Sequence, residues 1–177
     1  MIYKKPKFNI SKILDDGTAN PIINRMSLQF TEILDSGFLK LQIERSNNIK
    51  KLLFECMEKL LKAEKAKNSY LLVESKAIDN VSSGKGIEFQ KNVTILDDPT
   101  TNLKRLFEDF LINCVIAIRK VIKISEIVLD VRIDGPGELK EYLEKEFSNN
   151  KKILKMISED SKWVIELYSF RTAVEHD

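Results

Sequence analysis

The sequence predicts an all-α fold: an antiparallel bundle of long helices with one short irregular or hairpin excursion near residues 82–98. Three observations lead there. Apolar residues recur at spacings of three and four over long stretches, the period that lines one face of a helix. Glycine and proline are scarce, six and four in 177 residues, whereas a turn-rich β fold uses more of both. The breaks fall at a few compact clusters, chiefly Ser36-Gly37, Ser82 to Gly86 and Asp134 to Gly137.

Taken in order, residues 1–19 read as an irregular arm, with Pro6 and the turn signal Asp15-Asp16-Gly17. Residues 20–177 read as one helical domain, long enough for its own core. Asn20-Pro21 is an N-cap followed by proline at the first helical position. Ile22, Met26, Phe30, Ile33 and Leu34 then carry a first helix to about Asp35. A second helix starts near Phe38, or near Ser46 after a break, and runs to about Ile78. Its stripe is Ile49, Leu52, Leu53, Cys56, Met57, Leu60 and Leu61, with Lys and Glu opposite. Between Asp79 and Thr101 the helical pattern lapses. Ile87, Phe89, Val93 and Ile95 roughly alternate with polar residues, which suits a hairpin.

Asp97-Asp98-Pro99-Thr100-Thr101 is a helix-start signal for a central core helix, Leu103 to Val131. Its β-branched run tempts a strand assignment, but length and three-four spacing favour a helix over 103–130. Glu138 to Phe147 is a short amphipathic helix. Ser148-Asn149-Asn150 caps the last one, helical over 151–173. That helix carries two parallel stripes. One is Ile153, Met156, Trp163, Leu167, Phe170 and Val174; the other is Leu154, Ile157, Val164 and Tyr168, continued by Arg171. Trp163 and Tyr168 are expected in the core.

Composition narrows the function. A net charge of +2 gives no strong global field for nucleic acid. The densest basic stretch, Lys50 to Lys67, sets six lysines against three glutamates and suits a solvated helix face. Cys56 and Cys114 lie inside apolar helical patterns, as buried thiols in a reducing compartment. The start, MIYKKPKFNISK, lacks a signal peptide's apolar run, and no stretch nears the ~18 apolar residues of a membrane span. A cytoplasmic protein without membrane contact is expected. Gly84-Lys85-Gly86 lacks the G-x-x-x-x-G-K-[ST] pattern of a phosphate loop. No residue cluster has metal-ligand spacing, so neither metal nor cofactor is predicted.

Chemistry concentrates in Trp163 to Asp177, WVIELYSFRTAVEHD, which holds the only tryptophan and the only histidine. Imidazole exchanges protons near neutral pH. Guanidinium grips phosphate with a planar fork of donors. Together they suit a phosphodiester, with Arg171 on the phosphate and His176 moving a proton. RNA supplies its own nucleophile, the 2′-hydroxyl. The plain alternative is a solvated helix end, where positive charge faces the negative end of the dipole. On one continuous helix, residues five apart point about 140° away from each other. Either the helix opens after about Ala173, or two chains assemble the site at a two-fold axis.

Arg171-Thr-Ala-Val-Glu-His176 resembles the R-x4-6-H motif of the HEPN superfamily, and the long apolar helix at 103–131 ahead of the motif helix fits that arrangement. The resemblance implies a HEPN-like helical bundle that is often a homodimer, here through the final helix. It implies a metal-independent endoribonuclease of toxin or defence type, with an antitoxin protein as partner. Arg171 and His176 would then be catalytic, with products ending in a 2′,3′-cyclic phosphate and a 5′-hydroxyl. Tyr168, Thr172 and Glu175 are candidate binding residues: Tyr168 borders the site, Thr172 lies one turn before His176, and Glu175 can pair with Arg171. Two alternatives stand beside this: a non-catalytic module of the same fold that binds RNA, a nucleotide or a protein, and a purely structural bundle. Thr172 stands where active members often carry Asn, Asp or His, which favours the non-catalytic module.

Overall fold

The computed structural model describes residues 21–37, 39–84, 87–90, 93–96 and 100–176. The arm expected at 1–19 lies outside the described residues. Among the described residues five helices and a two-stranded hairpin follow one another as α1 (Pro21–Asp35), α2 (Ile43–Ser82), β1 (Ile87–Gln90), β2 (Val93–Leu96), α3 (Thr100–Leu129), α4 (Pro136–Glu146) and α5 (Lys151–His176). The fold is an all-α bundle, and the hairpin falls within the excursion expected from the sequence.

The backbone of the bundle is the antiparallel pair α2–α3. Three cross-links run along it, and residue numbers rise on one helix as they fall on the other. Arg45 meets Asp130 at 2.9 Å, Glu55 accepts a hydrogen bond from Lys120 Nζ at 2.5 Å, and the rings of Tyr70 and Phe107 lie 6.5 Å apart. Small residues at the seam, Ala63, Ala66 and Ala117, are buried beside Cys56 and Val115. The hairpin closes the far end in antiparallel register, from Ile87↔Leu96 to Gln90↔Val93.

On one side α1 lies over this pair. Ile23 joins Ile49, Leu53 and Met57 of α2 and Ile124 of α3 in one buried cluster. Lys50 Nζ donates to Asp35 at 2.8 Å and ties the end of α1 to α2. Gly37, at φ +70°, makes the left-handed turn between them, a conformation glycine adopts without steric cost. α5 packs against α3, and α4 packs chiefly against α5.

Several boundaries move from their expected places. α2 runs on to Ser82, because Asp79 and Asn80 sit on its exposed side and the stop comes at Gly84, φ +70°. There the Ser83 hydroxyl donates to the Asp79 carbonyl at 2.7 Å. α3 ends at Leu129, short of both 130 and Val131, because Asp130 turns left-handed at φ 55°. The following turn is held by two carboxylates. Glu126 accepts from the Ile133 backbone N–H at 3.0 Å and from Lys123 Nζ at 2.6 Å. Glu138 accepts from the Asp134 N–H at 2.7 Å. α4 starts two residues early, with Gly135 as extended N-cap and Pro136 at the first position. Asn150 caps α5 as expected, its Oδ1 accepting from the Ile153 N–H at 3.2 Å.

Candidate functional site

α5 carries every residue that the sequence singles out for chemistry. It is one unbroken helix from Lys151 to His176. The opening after Ala173, one of the two expected routes to a site, is therefore not taken. Positions 171 and 176 of one such helix are about 140° apart around its axis.

The two stripes of α5 have different environments. Leu154, Ile157, Val164, Tyr168 and Arg171 are all half-buried. This is the face turned toward the bundle, and an arginine can stand in line with apolar residues there because its aliphatic stem packs as they do. The other stripe is split. Leu167 and Val174 are half-buried, whereas Met156, Trp163 and Phe170 are 55%, 51% and 56% exposed. Trp163 is thus not a core residue. It sits on the rim of the helix contact, not beneath it.

Around Arg171 the structure forms a small cleft of about 180 Å³, with Glu108, Leu111 and Ile112 of α3 opposite Arg171 and Val174 of α5. The Nε of Arg171 is shut off from solvent. Leu111 is buried and Ile112 is 43% exposed. Glu108 was not legible as a site residue: on the sequence it is one acid among many on an amphipathic helix. Its carboxylate in the same cleft offsets part of the guanidinium charge that a phosphate would meet.

Thr172 is exposed, and its Oγ1 donates to the Tyr168 carbonyl at 3.0 Å. Its proton is committed to the helix, so the hydroxyl offers lone pairs, not a donor, to an imidazole one turn on. Tyr168 is half-buried on the packed face. Glu175 and His176 belong to the last turn of α5. Among the described residues no group of three or more His, Cys, Asp or Glu gathers as a metal site, and no helix is long and apolar enough to cross a membrane.

The two cysteines are free. Cys56 is buried in the α2–α3 seam, and that burial pushes its thiol up to about 11. Cys114 is only half-buried, contrary to expectation, and its thiol is also raised by burial. Neither is an activated nucleophile, since reactivity follows a lowered thiol pKa.

Comparison with protein-family models, curated proteins and solved structures found no match to this chain.

Proposed function

We propose that this chain is a HEPN-like helical protein that works as a two-fold dimer through α5 and cleaves RNA without a metal. The observation that carries the proposal is the continuity of α5 through His176. With Arg171 and His176 diverging on one helix, a single phosphate meets both types of side chain only where two copies bring their helix ends together. Apolar surface at that end supports the pairing: Phe170 and Ile112 are 56% and 43% exposed, and their burial against a second copy is favourable.

In this proposal the RNA 2′-oxygen gives up its proton and attacks the adjacent phosphorus. The bond from phosphorus to the 5′-oxygen breaks, and that oxygen takes a proton. The products end in a 2′,3′-cyclic phosphate and a 5′-hydroxyl. His176 moves a proton, and Arg171 holds the non-bridging oxygens as charge builds on them. Thr172 accepts from the imidazole N–H, Tyr168 borders the site, and Glu175 pairs with Arg171. An antitoxin-type protein that restrains the activity belongs to the same proposal.

Glu108 favours a second reading, in which the same fold binds RNA, nucleotide or protein without cleavage, because a carboxylate beside Arg171 weakens the hold on a dianionic transition state. The test is incubation of the full chain with RNA in excess EDTA, with the product ends mapped. The proposal expects cleavage that leaves cyclic phosphates and is lost in His176→Ala, and Arg171→Lys is not expected to restore full activity because it lacks the planar fork. Cleavage that requires Mg²⁺ or persists in His176→Ala refutes the mechanism. RNA binding without cleavage selects the second reading.

A further inference from the structure

A second concavity lies away from Arg171, where α3, α4 and α5 meet. It is a groove of about 460 Å³, within the ~300–1,000 Å³ range of small-molecule sites. Its walls are apolar, led by Ile118 and Ile122 of α3, Leu139 and Leu143 of α4, and Met156 and Trp163 of α5. Half of Trp163 and more than half of Met156 remain open to solvent, so these side chains form one bank of the opening.

Three polar residues complete the lining: Lys140, Asp160 and Ser161. Two of them are already engaged. The Ser161 hydroxyl donates to the Ser158 carbonyl at 3.2 Å. Lys140 has Glu144 one turn away at 3.7 Å. Asp160 forms no ion pair or hydrogen bond with any described residue. It precedes Trp163 by three positions, so the carboxylate and the indole stand side by side on one helix face. Of the two charged residues in the lining, Lys140 is thus paired with Glu144, whereas the Asp160 carboxylate adjoins an aromatic ring.

We infer that this groove binds lipophilic organic cations. An apolar body displaces water from the walls, while the positive centre meets the Asp160 carboxylate and the face of Trp163. Aromatic rings attract cations through their quadrupole, by about 0.5–1 kcal/mol at exposed sites. A neutral apolar molecule gains only the first contribution, and an anion is repelled by Asp160. The inference is independent of the RNA proposal, since it uses neither Arg171 nor His176.

Trp163 is the only tryptophan, so its fluorescence reports on the groove directly. The test titrates the full chain with tetraphenylphosphonium and, separately, with tetraphenylborate, ions of matched shape and opposite charge. The expected result is a saturable change in Trp163 emission with the cation, and affinity for the cation at least about tenfold above that for the anion. Asp160→Asn is exposed and should leave the circular dichroism spectrum unchanged while erasing the charge preference. Equal affinity for the two ions, preference for the anion, no saturable change, or an undiminished preference in Asp160→Asn each overturns the inference.

Discussion

Cys56 shows how far a single side chain reports on the fold around it. Its thiol is buried between α2 and α3 and held up to about 11, so at neutral pH it is neither exposed nor ionised. Cys114 is half-buried on the same pair of helices. A thiol reagent at pH 7.5 should therefore label Cys114 in the native protein and leave Cys56 untouched until denaturant is added. Mass spectrometry of the labelled peptides reads the order, and Cys56 labelling first would place the α2–α3 seam wrongly. Glu126 makes a complementary case on the polar side. Lys123, and then the backbone N–H of Ile133, hold its carboxyl below the usual carboxylate range. The folded state favours the ionised form, so this stabilisation is present above the ordinary range near pH 4.5 and is lost as pH falls through the lowered value. Glu126→Gln should cost about 1 kcal/mol at pH 7, the scale of one hydrogen bond and a solvent-screened ion pair. In urea denaturation at pH 3 the gap to wild type should shrink, and a gap unchanged by pH would show that the carboxylate is not what holds the turn.

At the scale of elements, the helices were legible because their apolar residues keep helical period over many turns. Leu103 to Val121 could face a partner in no other way. Boundaries were legible where the chain marks them chemically, as at Pro21, Gly37 and Asn150. They were misjudged where the decisive feature was a backbone conformation: Asp130 turns left-handed and ends α3 without a glycine to announce it. Nor could the sequence tell which of the two α5 stripes faces inward, since both are apolar. Packing against α3 chose the one ending in Arg171 and left Met156, Trp163 and Phe170 on the rim. The Arg171–His176 spacing is plain in the sequence, but Glu108 enters the cleft only through the packing of α3 on α5. The α2–α3 pair should dominate stability. Ile49 is 0% exposed and belongs to the cluster that α1 also joins, so Ile49→Ala should cost about 2–5 kcal/mol. Leu72, on the same helix but 57% exposed, should change stability by under about 0.5 kcal/mol when cut to alanine. Equal losses at the two sites in urea denaturation would contradict the assignment of the seam.

At the scale of the whole molecule, α5 packs against α3 and α4, and the proposed chemistry depends on the ends of two such helices meeting. One copy presents Arg171 in a cleft against α3 and carries His176 about 140° around the same helix. A second copy docked over Phe170 and Ile112 would complete the site and cover the apolar surface that one copy leaves in water. The most direct measurement is the distance between spin labels placed on the two copies at Ala173, an exposed position between the two site residues. At high micromolar concentration a dimer is expected by light scattering, with a label separation within about 25 Å, some two helix diameters. A monomer at that concentration, or a dimer whose labels lie far outside that distance, would contradict it.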